Sequence, residues 1–301
     1  MSSSHHPLAD EITARAVRGW ARAFRVLSAF LPFLIVPACY AQEDCFRGEV
    51  HTEPQTIADF LIRFRQVSAS GAPSCRVEVF SLQGGMAFHA DDAGIQLLQP
   101  ASTDLNGDGV PDLVLEGYSG GAHCCWTYWI VSLGPKPGLL ASFKNQSPIA
   151  LVPGNEGKTD IQTRDGAFDY FDCLSHAESP VPTVFLRLEG RGLRDVGMEH
   201  LPAYEKQIRD AREDLSSARL NQVRAAENMD EMCSGEPRAA MPAVLTIVLA
   251  YLYGGQEQQA WKALDAMWPK FDIQRVRAEI VKARARGILT YTRTAPAKKK
   301  H

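Results

Sequence analysis

The sequence lacks a long apolar run. Its most hydrophobic stretches, Val26–Val36 and Met241–Tyr253, are 11 and 13 residues long. Both fall well short of the ~20 residues a helix needs to span a bilayer, so no membrane span is expected in the mature chain. The 7 cysteines contain no C-x-x-C pair, which argues against a thioredoxin-type redox motif and a zinc ribbon. There is no broad basic field either. With 32 Lys and Arg against 35 Asp and Glu, the net charge is −3, and nucleic acid is not indicated as a partner. Lys298-Lys299-Lys300 reads as a solvated end of a disordered basic tail over 291–301. What is present is ordinary for a folded protein: 301 residues, 45% of them hydrophobic, enough for a sizeable core in one or two domains.

The N-terminal segment carries the pattern of an export signal. Arg15, Arg18, Arg22 and Arg25 precede the apolar run Val26–Val36, and Cys39-Tyr40-Ala41 places small residues at −3 and −1 of a cleavage site before Gln42. Residues 1–41 are therefore expected to be removed, leaving a slightly more acidic chain in the periplasm or outside the cell. Val36-Pro37-Ala38-Cys39 bears a faint likeness to a lipobox, with proline a poor fit, so a lipoprotein anchored through Cys39 is the lesser expectation.

Six cysteines remain after cleavage: Cys45, Cys75, Cys124, Cys125, Cys173 and Cys233. An even number in an oxidising compartment predicts disulfides. The expected order is Cys45–Cys75, then one of Cys124 and Cys125 to Cys173, then the other to Cys233. Neighbours on a strand point to opposite faces, which disfavours a bond between Cys124 and Cys125 themselves.

Composition changes along the mature chain predict an α+β fold, with strand-type runs followed by helix-type runs. Residues 42–200 are expected to form a β-rich domain, mainly antiparallel, as a sandwich or partial propeller. Its first element is predicted to be a helix, because Ile57, Phe60, Leu61, Phe64 and Val67 share one helical face. Strands are predicted around Val77 and Val79, at Ile95–Leu98, Trp126–Leu133, Leu139-Leu140, Ala150–Val152, Phe168–Phe171 and Val184–Leu188, separated by Gly and Pro. Residues 201–290 are predicted to form a small helical module: a long helix Tyr204–Met229, a buried one at Met241–Tyr253, a short one through Ala260, Trp261, Leu264, Met267 and Trp268, and a last one capped by Asp272. Asn155–Asp169 has the acids and glycines of a degenerate second copy of the loop described next, without its spacing.

That loop is Asp104-Leu105-Asn106-Gly107-Asp108-Gly109-Val110-Pro111-Asp112. Oxygen-bearing side chains occupy positions 1, 3, 5 and 9, with glycine at position 6. This spacing turns several oxygens toward one hard cation, and Val110 at position 7 offers its carbonyl. An EF-hand requires a bidentate Glu at position 12, where this chain has Leu115. The apolar, β-branched segment that follows reads as a strand. The loop resembles the D-x-N-x-D-G-x-x-D calcium loop between strands of FG-GAP and VCBS-type repeats, over about a dozen residues. The resemblance implies a structural Ca²⁺ held by Asp104, Asn106, Asp108, Val110 and Asp112. Leu252–Trp261 also resembles a single tetratricopeptide-like hairpin. An array needs about three repeats, so a packed helical cap is expected instead.

Gly117–Tyr128 is the other segment with chemical potential. Ser119, His123 and Cys124 are nucleophile and base types close in sequence, and Gly120-Gly121 has exposable N–H groups. Adjacency in sequence does not create triad geometry, and adjacent cysteines leave little room to chelate zinc. Three readings follow. The first is an exported, non-catalytic, calcium-stabilised protein that binds a partner protein or a cell-envelope component. The alternatives are a hydrolase using the Ser119/His123 region, and a scavenger with reactive thiols at Cys124 and Cys125.

Overall fold

The computed structural model describes residues 45–69, 72–98, 103–121 and 125–292. The export signal, Cys39, His123, Cys124 and the lysine tail lie outside them. The described residues belong to one compact unit, Ala41–His301, built from antiparallel sheets and helices in the expected α+β manner.

One sheet is central. Its strands, in spatial order, are β10 (Gly138–Asn145), β9 (Trp126–Ser132), β8 (Asp112–Tyr118), β7 (Gly94–Leu97), β1 (Cys45–Phe46) and β2 (Glu49–Val50). β8 reads Asp-Leu-Val-Leu-Glu-Gly-Tyr, and all but its last residue are buried. A strand covered on both faces carries apolar residues at successive positions. Leu113 and Leu115 enter one hydrophobic cluster, shared with Phe60, Ile62, Phe64, Val77 and Val79 of the next sheet. Val114 points the other way, into a larger cluster with Tyr128, Ile130 and Phe143. Asp112 and Glu116 alternate with Val114 and so share its face.

The second sheet orders β3 (Gln55–Ile57), β4 (Phe60–Ala69), β5 (Ala72–Ser81) and β6 (Met86–Asp92). It overturns the helix expected over Ile57–Val67. The apolar spacing there fits two periods, and period 2 prevails: Phe60, Ile62 and Phe64 are buried while Arg63 is exposed. Tertiary pairing decides the matter. β5 brings Glu78 opposite Arg63, and Glu78 accepts hydrogen bonds from both Arg63 (2.6 Å) and Arg65 (2.8 Å). Cys45–Cys75 forms as expected, with Cα atoms 5.8 Å apart, and ties this sheet to β1.

The third sheet orders β11 (Ala150–Pro153), β12 (Thr159–Arg164), β13 (Thr183–Leu188) and β14 (Leu193–Asp195). The strand expected at Phe168–Phe171 is instead a 3₁₀ turn, Gly166–Phe168, followed by irregular chain. Asp165 caps the turn through the Ala167 N–H (3.0 Å). Tyr170 and Asp172 adopt left-handed φ of 52° and 58°, which no strand accommodates.

The long helix expected at Tyr204–Met229 is three: α1 (Leu201–Asp214), α2 (Ser217–Ala225) and α3 (Met229–Met232). The breaks fall where Ser216 and Asn228 cap the following helices through the N–H groups of Arg219 and Glu231. α4 (Gly235–Tyr253) is buried on most sides and packs against α1, α2 and α5 (Glu257–Met267). Asp272 precedes α6 (Ile273–Arg284), but its side chain makes no cap bond; it accepts from Trp268 Nε1 and Arg275 instead. No helix among the described residues is long and apolar enough to cross a membrane. The helices and the third sheet share the larger hydrophobic cluster with β8–β10.

The second disulfide corrects the expected connectivity. Cys173 bonds to Cys233, with Cα atoms 5.8 Å apart, and to neither Cys124 nor Cys125. It joins the loop after the 3₁₀ turn to the end of α3. Cys125 is itself disulfide-bonded, so it is no free thiol.

Candidate metal centre

The acidic loop leads straight into the buried strand β8. Glycines supply its sharp bends: Gly107 and Gly109 have φ of +77° and +82°, a region that disfavours side chains. Acidic and amide side chains fold over the backbone. Asp104 accepts from the N–H groups of Gly107 (2.7 Å), Asp108 (3.2 Å) and Gly109 (2.8 Å). Asn106 Oδ1 accepts from the Asp108 N–H (2.9 Å), and Asp108 Oδ1 from the Val110 N–H (2.9 Å). The Asn106 amide donates to Asp108 Oδ2 (3.0 Å).

Asp112 differs from the other three. It is the first residue of β8 and only 1% exposed. Its backbone N–H donates to the Thr103 carbonyl (3.0 Å), and its Oδ2 accepts from the Leu105 N–H (3.0 Å). Its Oδ1 is buried with no partner at hydrogen-bond geometry among the described residues, the Asn106 N–H acting on the carboxyl more weakly than that of Leu105. Burial pushes the Asp112 carboxyl up to about 6, and the charges of Asp108 and Asp104 add to the effect. An orphaned buried oxygen of this kind is costly. It sits within electrostatic reach of two further carboxylates at the end of a motif spaced for a cation.

Engaged oxygens are not exhausted, since a carboxylate offers about four lone-pair directions. The loop N–H groups fix the carboxylates of Asp104 and Asp108 and leave acceptor capacity on each. The donor set is all oxygen, which suits a hard cation with irregular coordination such as Ca²⁺ better than Zn²⁺. No three His, Cys, Asp or Glu side chains among the described residues are grouped as a ready-made metal cage. A cation here would draw on Asn106 and the Val110 carbonyl as well as the acids.

No family model, curated protein or solved structure matches this chain.

The Ser119 region is arranged as a strand-to-strand connection. Gly117-Tyr118-Ser119-Gly120-Gly121 has the G-x-S-x-G spacing of a nucleophile elbow. An elbow requires a strand-to-helix turn, whereas this segment runs from β8 to β9. The Ser119 hydroxyl accepts from the Cys125 N–H (3.1 Å), and the Ser119 N–H donates back to the Cys125 carbonyl (3.1 Å). Glu178 and Asp169, the acids a hydrolase centred on His123 would call on, have partners of their own. Glu178 accepts from Ser175 and Arg238, and Asp169 from His176. Asp165, in the suspected second loop copy, accepts from the Tyr253 hydroxyl and from the Ile288 N–H, which makes it a brace between sheet and helices.

Proposed function

We propose that this is an exported, non-catalytic binding or interaction protein of the cell envelope, periplasmic or secreted, whose β region is stabilised by calcium. The observation that carries the reading is the buried Oδ1 of Asp112 at the end of the acidic loop, which has no hydrogen-bond partner among the described residues. Asp104, Asn106, Asp108 and Asp112 would hold the ion with the Val110 carbonyl, in the manner of an FG-GAP or VCBS-type loop. The ion would draw together and neutralise the three carboxylates that the loop sequence carries. Its role would be structural, fixing the entry into β8, which is buried along most of its length. The two disulfides paired within the described residues agree with an oxidising compartment.

Calorimetric titration of metal-stripped protein with Ca²⁺ tests the reading. One site should be seen in the wild type, with binding strongly weakened in Asp108→Ala and in Asp112→Asn. Absence of any saturable calcium binding by the wild type would refute it.

A further inference from the structure

Four residues beyond Asp112 on the same face of β8 lies a second buried acid, Glu116, 6% exposed. It belongs to a polar ladder across three strands. Register places Gln96 of β7 and Tyr128 of β9 on either side of it. The Gln96 amide donates to Oε1 (2.6 Å) and the Tyr128 hydroxyl to Oε2 (2.7 Å). Burial, together with the charge of Glu116, holds the Tyr128 hydroxyl protonated, so it remains a donor. Both partners are neutral. No Lys, Arg or His among the described residues forms an ion pair with Glu116, although most other buried acids in the fold have such a cation: Asp160 has Arg187, Glu78 has Arg63 and Asp272 has Arg275.

This carboxylate faces a cavity. A space of about 160 Å³ is lined by Glu116, Gln96, Gly94, Ile95, Tyr118 and Trp126. Tyr118 and Trp126 are cross-strand neighbours with ring centroids 5.3 Å apart. The Tyr118 hydroxyl donates to the Gly121 carbonyl (2.7 Å), which fixes that ring. A buried carboxylate with no counter-ion among the described residues, beside two aromatic rings, is complementary to one kind of group. A cation there would gain Coulomb attraction and contact with the aromatic quadrupoles. A hard metal ion would find only one acidic side chain, too few oxygens for its shell. The volume is below that of a whole drug-sized ligand, so it suits a head group.

We propose that this cavity binds a small organic ammonium group, with Glu116 as its counter-ion and Tyr118 and Trp126 as its aromatic wall. None of these residues belongs to the acidic loop, and the site stands apart from the calcium reading.

The test is calorimetric titration of the full chain with choline chloride and with its uncharged carbon analogue, 3,3-dimethylbutan-1-ol, in calcium and again in chelator. Choline should bind saturably, and the carbon analogue at least about tenfold more weakly. Glu116→Gln keeps the shape of the ladder and should weaken choline by at least about tenfold. Trp126→Leu, at a half-buried position, should weaken it several-fold and covers the case in which Glu116→Gln misfolds. Choline binding that persists in chelator supports the site whether or not calcium binds. No choline binding in either buffer, equal affinity for the carbon analogue, or unchanged choline affinity in both folded variants would overturn the proposal.

Discussion

Replacing Asp160 with Asn tests whether buried charge networks hold the third sheet to the helices. Asp160 is fully buried and Arg187 is 3% exposed. Arg187 donates to the two carboxylate oxygens of Asp160 at 2.6 and 2.8 Å, and His200 Nε2 lies 2.7 Å from Oδ2. His200, at the start of α1, is stacked on Phe185 of β13 with centroids 3.9 Å apart, so the network pins a helix start to a strand. An Asn side chain has one acceptor oxygen. Arg187 presents an N–H at each carboxylate position, so either amide orientation sets an NH₂ group against a guanidinium donor. Arg187 would keep only Glu199, at 2.7 Å, as an ionic partner. Removing one member of a buried pair costs about 3–5 kcal/mol, which for a chain of this size lowers Tm by roughly 6–20 °C. Burial alone would raise the Asp160 carboxyl, but Arg187 and His200 outweigh it and hold it below the usual carboxylate range. A folded-state pKa below the unfolded one contributes stability at neutral pH and loses it as pH falls through the depressed value. The gap between wild type and Asp160→Asn should therefore be full at pH 7 and close as the pH drops below about 4. Asp160→Leu with Arg187→Met should recover part of the loss, since no unpaired guanidinium remains. Urea unfolding at both pH values reads the effect. A cost under about 1 kcal/mol at pH 7 would refute the reasoning, because no buried charge pair of this geometry is that cheap to break.

Three further outcomes are expected. Cys173→Ser with Cys233→Ser opens a bridge spanning 60 residues and should cost about 2–4 kcal/mol, seen as a lower urea midpoint under non-reducing conditions; an unchanged midpoint would contradict the bridge. Gly197→Ala would drive a Cβ into the Tyr253 carbonyl, where backbone must shift, and should cost about 1–3 kcal/mol in thermal unfolding. Gly190→Ala, at φ +59° with no neighbour within 4 Å of a Cβ, should cost less, about 1 kcal/mol.

Most strands after residue 75 were readable from the chain because β-branched and aromatic runs such as Trp126–Ser132 are bounded by Gly and Pro. β4 was not, because Ile57, Phe60, Leu61, Phe64 and Val67 satisfy a helical period while Phe60, Ile62 and Phe64 satisfy a strand period. The alternating Arg63 and Arg65 were the local clue, and pairing with β5 decided it. The breaks in the first helical stretch were marked by Ser216 and Asn228, residues whose side chains compete for the helix start. Disulfide connectivity depends on distances the chain order does not contain, so Cys173–Cys233 was out of reach. The acidic loop was legible as a motif, but the burial of Asp112 depends on β8 being covered on both faces. The Glu116 cavity was invisible for a similar reason: its partners Gln96 and Tyr128 stand 20 and 12 residues away along the chain and meet only through strand register.

Thermal unfolding of the full chain in excess calcium and in chelator tests the central claim most directly. Binding to the folded state alone should raise stability by about 2.7 kcal/mol when calcium is a hundredfold above Kd, or roughly 5–11 °C in Tm. Asp108→Ala should lose most of that gain. Identical melting curves for the wild type in calcium and in chelator would contradict the account.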